Sequence, residues 1–509
     1  MAPNNHASPI AKLPPNVLGD IFHKAHQAKY SLSRPARPWP EVSISHVCAS
    51  WRKLMVSPKL AGLWSSFCYD MDRKGKAELE RFKTYLERSG SLPLTLILRL
   101  YPTTEYDDSL TWSVILNDGV LPLALSQYPR WKSVTLYYSD DPDAVEYMAS
   151  WGRKVRGKRA EHLESFTALN VKLLDDFDEG EEGDPDPPVP TIFTSGTPKL
   201  RSLAINDISG RNLLPPLTNL TELYIETPGV VEKLWVWDEF IGVIQTPTLQ
   251  RLAIYGEPVY ASEDDIDIDD LPSKIHLPSL THLRYDVCPE PYAEGHELFS
   301  LLLPRLSAPL LRSITLGNLN QDVSAPETQL VEDPFPAVET VTLLHCTYNN
   351  RTDPSFYHWI AGLTSSATTV KVSDWGPMSQ GGGSLSFLAQ ADGVGAWPRM
   401  EKLVHFIEFR DKMDSAADTV VEKIGDVIRA REGLKLVELA EANVPSDKRQ
   451  NLKLHGTLGA RCTVEFYKKR ARAFEEAVMF KWVSLQTEYE RWGKEDEEEL
   501  DGELGGWVL

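Results

Sequence analysis

A phrase of apolar residues that recurs about every thirty residues is what most constrains the fold of this 509-residue chain. The phrase is a proline, any residue, an apolar residue, two residues of any kind, a second apolar residue, any residue, and a third apolar residue or near substitute, as from Pro198 to Ile205. Further copies begin at Pro129, Pro247, Pro278, Pro309, Pro336 and Pro398. A sequence that repeats at this period predicts a stack of similar structural units.

The spacing of the middle apolar residue indicates the architecture of those units. From Leu203 to Val464 this residue recurs at steps of 20 to 34 residues. We expect a short strand in each phrase, with the proline at its first position, where no ladder donor is needed. The rest of each unit returns the chain, as parallel strands require. Because one unit cannot bury its own apolar face, the sequence predicts an α/β solenoid of parallel strands with returning helices or loops over residues 69–467.

The stretch before the repeats, residues 10–68, predicts three short helices. The first follows Pro14 and Pro15, the second is expected to begin at Ser43, and the third follows Ser57 and Pro58. Apolar residues at helical spacing are Val17, Leu18, Ile21 and Phe22 in the first helix, Val47, Cys48, Trp51 and Met55 in the second, and Leu63 and Trp64 in the third. So small a unit has a thin core, and we infer that part of its apolar surface faces another protein.

These helices resemble an F-box. The match is carried by Leu13-Pro14, Val17-Leu18, Ile21-Phe22, Val47-Cys48, Trp51-Arg52 and Leu63-Trp64. In that family the module docks on a Skp-family adaptor, which links it to a cullin–RING ubiquitin ligase, so the resemblance implies that these residues bind an adaptor. A proline-rich, basic insert from Tyr30 to Glu41 and the uncharged Asn16 depart from the family pattern.

An F-box-like start followed by proline-initiated leucine repeats is similar to the fungal class of F-box-like proteins with leucine-rich repeats. The resemblance implies a leucine-rich-repeat solenoid that binds a target protein. Strand alternation turns the residues that flank the middle apolar position toward solvent. The candidate target-binding residues are Glu222, Tyr224, Glu226, Arg251, Tyr255, His282, Arg284 and Asp286. A merely soluble sheet face is the alternative interpretation of this set.

The net charge of −20 is concentrated in three acidic runs. Residues 175–186 hold 8 acids, 263–270 hold 6 and 495–503 hold 7, and none of the runs contains Lys or Arg. Residues 1–60 are basic instead, with 8 basic and 2 acidic residues, which suits an acidic partner such as the adaptor. Basic residues are not interleaved with aromatic ones on a single element, so nucleic acid is not expected as a partner.

No catalytic, metal-binding or cofactor-binding pattern is found, and we expect a non-enzymatic protein without a cofactor. The aspartates at 265–270 lack the glycine and closing glutamate of a calcium loop. Five scattered cysteines indicate reduced thiols. No run approaches the roughly 18 apolar residues of a membrane span, and residues 1–10 lack a signal-peptide pattern. The expected location is therefore cytoplasmic or nuclear.

Three alternatives remain open at this level. The basic cluster at residues 153–159 is either a nuclear signal or the solvated face of a returning helix. The aromatic and apolar stripe at 468–493 is either a helix that caps the solenoid, which we favour, or a site for a partner helix, and an acidic tail follows at 494–509. The chain as a whole is either the substrate-recognition subunit of a ubiquitin ligase or a leucine-rich-repeat scaffold without a ligase role.

Overall fold

The computed structural model describes most of the chain up to residue 467. The described residues are 13–30, 40–70, 76–100, 119–139, 142–171, 190–206, 212–227, 237–256, 274–286, 297–317, 335–344, 355–375, 383–389, 395–408, 416–440 and 462–467, with single positions at 10, 235, 258, 259, 346 and 449. The stripe at 468–493 and the acidic tail at 494–509 therefore lie outside the described residues. The chain forms two compact units.

The first unit comprises Met1–Leu173, Pro190–Leu200 and Asn212–Pro216. Its α-helices are α1 (Pro15–Tyr30), α2 (Pro40–Val47), α3 (Ala49–Met55), α4 (Lys76–Ser89), α5 (Val120–Ser126) and α6 (Pro142–Val155), and short 3₁₀ helices span Pro58–Trp64 and Tyr128–Arg130. Its strands are β1 (Ser66–Asp70), β2 (Leu94–Leu100), β3 (Trp131–Ser139) and β4 (Ser165–Val171). They pair in that order, and every pair is parallel.

The predicted helices at the amino terminus are present, but the second one is divided. It begins at Pro40 rather than Ser43 and ends at Val47, and Cys48 then adopts an extended backbone (φ −159°, ψ 168°) before α3. The expectation of one helix through Cys48 is thus wrong, because this extended residue interrupts the helical hydrogen bonds. The third helix starts at Pro58 as predicted and is a 3₁₀ helix.

Aromatic side chains fill the core of the first unit. Phe67 of β1 stacks on Phe82 of α4 with ring centroids 4.3 Å apart, and Trp131 stacks on Trp151 at 5.3 Å. Along β2, alternate residues from Leu94 to Leu100 are buried, as the period of a strand requires. The amino-terminal helices and the first strands therefore share one apolar core, which supplies the burial that three short helices lack.

The second unit comprises Leu174–Val189, Arg201–Arg211 and Leu217–Leu509. Its principal strands are β5 (Ser202–Asn206), β6 (Glu222–Glu226), β7 (Arg251–Tyr255), β9 (His282–Asp286), β11 (Ser313–Gly317), β12 (Thr340–Leu344), β13 (Thr369–Trp375), β14 (Lys402–Glu408), β15 (Leu436–Ala440) and β16 (Thr463–Tyr467). Two-residue strands β8 (Ile275–His276) and β10 (Leu306–Ser307) pair with each other. Its α-helices are α7 (Trp237–Ile244), α8 (Glu297–Leu302), α9 (Ser355–Leu363), α10 (Gly383–Ala389) and α11 (Ala416–Ala430).

The principal strands of the second unit form a parallel sheet in chain order, one strand per repeat. The middle apolar residues of the phrase lie opposite one another in every neighbouring pair, from Leu203 beside Leu223 to Val437 beside Val464. All of them are buried. The predicted α/β architecture with stacked parallel strands is confirmed for the described residues.

The prolines of the phrase occupy a different position from the predicted one. Pro278 lies four residues before β9 begins, at the second position of a turn closed by a hydrogen bond from the N–H of Leu280 to the carbonyl of Leu277 (3.2 Å). The same bond recurs before β5, β7, β11, β12 and β14. Proline suits this position because its fixed φ matches the turn, so it sets the entry to the strand rather than its first residue.

Among the described helices, none combines the length and the apolar character needed to cross a membrane.

Candidate functional site

Helix α1 buries one part of its apolar surface and leaves another part exposed. Leu18 and Phe22 are buried, and the Phe22 ring lies 4.9 Å from that of Trp51 on α3. Val17 and Ile21, one position earlier in each case, retain 37% and 40% of their accessible surface. Val17 and Ile21, a helical turn apart, thus form an exposed apolar stripe. It lies beside the buried pair of Leu18 and Phe22, which holds the helix in place.

Exposed large apolar side chains are most frequent toward the amino terminus of the described chain, in or next to α1–α3. Among the described residues they are Ile10, Val17, Ile21, Val47, Val56, Leu92 and Leu310. Five of these seven lie between residues 10 and 56, and Val47 is 61% exposed. Scattered exposed apolar residues are ordinary, whereas a contiguous group of them marks a surface that another molecule covers.

The residues that resemble an F-box divide into exposed and buried groups. Leu13, Pro14, Val17, Ile21, Val47, Cys48, Trp51 and Arg52 are exposed or half-buried. Leu18, Phe22, Leu63 and Trp64 are buried, and the Trp64 indole donates a hydrogen bond to the carbonyl of Met55 (2.8 Å). The buried four are not available for direct contact with an adaptor, and the expectation of a binding role fits only the exposed group.

Two residues at the α2–α3 junction fix its geometry. Arg52 donates from Nε to the carbonyl of Ser45 (3.1 Å), which connects α3 to α2. The Cys48 sulfur is exposed and lies 3.1 Å from the hydroxyl of Ser50. That hydrogen bond, with smaller contributions from the backbone, lowers the pKa of the Cys48 thiol. The junction therefore presents Val47 and a polar thiol side by side on the surface.

A buried carboxylate, which no sequence pattern indicated, ties α1, α2 and α4 together. Glu41 has no solvent exposure, and its Oε2 lies 3.2 Å from Nδ1 of His26 on α1. Its other oxygen accepts a short hydrogen bond from the hydroxyl of Tyr85 on α4. Burying a carboxylate is costly unless it is hydrogen-bonded, and here His26 and Tyr85 are positioned to form hydrogen bonds with it. Glu41 is thus the residue that fixes the end of the proline-rich insert.

The candidate target-binding residues occupy neighbouring positions in the sheet of the second unit. Register places Glu222, Arg251 and His282 side by side at the starts of β6, β7 and β9. These three are half-buried, and Arg251 forms an ion pair with Glu222 at 3.0 Å. Arg284 is also half-buried and pairs with Asp286 on the same strand (2.5 Å). The structure therefore brings the set together on adjacent strands.

Four of these residues do not face solvent, contrary to expectation. Tyr224, Glu226, Tyr255 and Asp286 are buried. The hydroxyl of Tyr224 donates a hydrogen bond to Glu226 (2.9 Å), and burial together with the charge of Glu226 raises the pKa of Tyr224 well above its ordinary value. A Cβ at Gly317 would collide with the carboxylate of Asp286, so the glycine provides the space for it. Alternation fixes which face a side chain is on, but not whether that face is covered.

His282 lies in a basic environment at the exposed start of the sheet. Partial burial, with the charges of Arg251 and Arg312, lowers the pKa of His282. Its Nδ1 lies 2.8 Å from the hydroxyl of Thr281. Glu222, Arg251 and His282 thus form a polar strip at the strand starts that combines an ion pair with a histidine, which is the kind of surface that recognises a polar partner.

No group of three or more His, Cys, Asp or Glu residues placed to hold a metal ion occurs in the part of the chain that the structure describes. The aspartates at 265–270 lie outside that part. Comparison of the chain with protein-family models and with characterised proteins found no match.

Proposed function

We propose that the chain is the substrate-recognition subunit of a Skp–cullin–F-box type ubiquitin ligase. In this proposal the exposed face of α1–α3 docks on a Skp-family adaptor, and the second unit, a leucine-rich-repeat-like solenoid, binds a target protein. The chain itself performs no catalysis in this role, because the ligase chemistry belongs to its partners.

One observation carries the proposal: five of the seven exposed large apolar side chains of the described residues lie between residues 10 and 56. An adaptor that covered Val17, Ile21 and Val47 would remove from water the 37–61% of each residue's surface that is exposed, which is worth roughly 0.5–2 kcal/mol for each residue. The basic character of residues 1–60 adds attraction toward an acidic adaptor surface.

Target binding is assigned to the polar strip at the starts of β6, β7 and β9. Glu222, Arg251 and His282 are half-buried there and have their neighbours in fixed register. Side chains held by ion pairs on a sheet lose little freedom when a partner binds, which favours specific recognition. The strip belongs to the second unit, so target binding and adaptor docking are assigned to separate surfaces.

Co-purification with a Skp-family adaptor tests the proposal. We expect the natural chain to form a complex and a variant with Val17→Asp and Ile21→Asp to lose it, because two charges would enter an apolar contact. Val17 and Ile21 expose 37% and 40% of their surface, so roughly 1–2 kcal/mol of apolar burial would be lost, which corresponds to about tenfold or more in Kd before the cost of burying the charges is added. Substitution at Val17 and Ile21 is preferred to substitution at Trp51, because the Trp51 ring packs on Phe22 and its loss would also weaken the fold.

The control is Leu310→Asp, which places one such charge at an exposed apolar residue of the second unit and is expected to leave the complex intact. Circular dichroism spectra of all three proteins establish that the fold is kept. If the natural chain forms no complex at saturating adaptor, the ligase proposal is contradicted, and a repeat scaffold without a ligase role is the function that remains.

A further inference from the structure

A basic surface in the first unit lies outside the adaptor and target surfaces proposed above. It consists of Arg153, Lys154, Arg156, Lys158 and Arg159, which end α6 and form the turn after it, together with Lys199. We call these six residues the basic turn. All six side chains are exposed. No acidic residue occurs within residues 150–160, 190–200 or 212–216 of the sequence.

The backbone of the basic turn is held firmly by the segment at 193–197. The N–H of Thr194 donates to the carbonyl of Arg156 (2.6 Å), and the N–H of Ser195 donates to that of Lys158 (3.3 Å). In the opposite direction, the N–H of Ala160 donates to the carbonyl of Gly196 (3.0 Å). A turn fixed by bonds on both sides presents its cations in a preorganised arrangement rather than as a flexible charged run.

Lys199 joins the same surface through His162. Its Nζ lies 3.4 Å from Nδ1 of His162, three residues beyond Arg159. Lys199 stands two residues after Thr197, in the segment that is bonded to the turn. The turn and the segment therefore bring together cations that are about forty residues apart in sequence, which no local sequence pattern would reveal.

Acidic neighbours leave much of this charge uncompensated. Arg153 pairs with Glu146 and Arg159 with Glu161, each at 2.6 Å. Lys154, Arg156, Lys158 and Lys199 form no ion pair among the described residues. Like charges held together on a rigid surface repel one another, and an anionic ligand relieves that repulsion. The basic turn thus carries a net positive charge although the whole chain is at −20.

We propose that the basic turn binds an acidic polypeptide segment of a partner protein. Charge complementarity identifies the partner's chemistry, namely several carboxylates along one stretch of chain. Single-stranded nucleic acid fits less well, because the aromatic residues beside the turn, Trp151 and Phe193, are buried and offer no ring on which a base could stack. The site is independent of the proposed ligase role, since it uses none of the residues of α1–α3.

Binding of fluorescein-labelled octaglutamate to the full-length chain, followed by fluorescence anisotropy, tests this proposal. We expect binding of octaglutamate but not of octaglutamine, and weaker binding as ionic strength rises. A patch variant combines Lys154→Gln, Arg156→Gln, Lys158→Gln and Lys199→Gln. A control variant makes the same charge change at exposed residues of the second unit, with Lys274→Gln, Arg312→Gln, Arg399→Gln and Lys435→Gln. The patch variant is expected to weaken binding by about tenfold or more and the control by less than about twofold.

Three results would overturn the proposal. The first is that octaglutamate binds no better than octaglutamine. The second is that the control variant weakens octaglutamate binding as much as the patch variant does. The third is that oligothymidylate of equal charge binds more tightly than octaglutamate and that the patch variant no longer binds it. Adaptor co-purification by the patch variant is expected to be unchanged, which separates this proposal from the ligase proposal.

Discussion

At the scale of single residues, the carboxylate of Glu41 shows how one buried polar group can connect three helices. Its two oxygens contact side chains from α1 and α4 while its own backbone belongs to α2. Removing a buried hydrogen-bond acceptor costs about 1–3 kcal/mol. Glu41→Ala is therefore expected to lower the thermal unfolding midpoint of the chain, and Glu41→Gln to lower it less, because the amide oxygen still accepts a hydrogen bond.

The comparison of these two variants by differential scanning calorimetry tests whether one retained acceptor oxygen in a side chain of the same shape preserves part of the stability. Equal losses would mean that neither the shape nor a single acceptor is enough and that the carboxylate itself is required. Glu80→Ala serves as the control, since Glu80 is an exposed glutamate on α4 whose ion pair with Lys83 lies at the surface. Such exposed pairs contribute about 1 kcal/mol or less.

Single residues also mark the limit of what the sequence could predict. Helical spacing placed Val17, Leu18, Ile21 and Phe22 on one apolar face, but it did not distinguish the exposed Val17 and Ile21 from the buried Leu18 and Phe22. The contact between Glu41, His26 and Tyr85 joins positions up to 44 residues apart, and no periodicity links them. Tyr224 and Glu226 were expected to face solvent but are buried, because strand alternation gives the side of the sheet on which a residue lies and not whether that side is covered.

At the scale of secondary-structure elements, the strand of each repeat depends on its middle apolar residue. Ile314 of β11 is fully buried and lies between Leu283 and Val341 of the neighbouring strands. Ile314→Ala is expected to cost about 2–5 kcal/mol, through lost apolar burial and the cavity left behind. Leu310→Ala, four residues earlier and 54% exposed, is expected to cost less than about 0.5 kcal/mol.

Urea unfolding monitored by circular dichroism measures both variants. Because each strand contacts chiefly its neighbours, hydrogen exchange in the Ile314→Ala protein is expected to speed up most in β9, β11 and β12. Hydrogen exchange that speeds up equally across β5–β16 would contradict the view that each repeat is stabilised chiefly by its neighbours. No effect of Ile314→Ala would contradict the assignment of this residue to the core.

The repeat period predicted these elements well because it reports a constraint that every unit shares. Apolar residues that must meet across strands recur at matching positions, so Leu203, Leu252 and Val437 could be placed in register from the sequence alone. The prolines were assigned to the wrong element for a related reason. A residue without an N–H suits both the first position of a strand and the second position of a turn, and only the hydrogen bond from Leu280 to Leu277 distinguishes them.

At the scale of the whole molecule, the features with proposed roles belong to different places in the chain. The exposed apolar residues of α1–α3 and the basic turn belong to the first unit, and the polar strip of Glu222, Arg251 and His282 belongs to the second. The net charge of −20 describes none of them, because 21 of the acidic residues lie in three runs outside the described residues. Local charge, rather than the total, therefore indicates which partner each surface would attract.

Hydrogen–deuterium exchange of the full chain, alone and with saturating Skp-family adaptor, tests the central proposal most directly. A partner that covers the exposed face of α1–α3 stabilises these helices and reduces their local opening. We expect amide exchange to slow across Pro15–Tyr30 and Pro40–Met55, with β5–β16 unchanged. Exchange that is unaltered everywhere, or slowed only in β5–β16, would contradict adaptor docking on the amino-terminal helices.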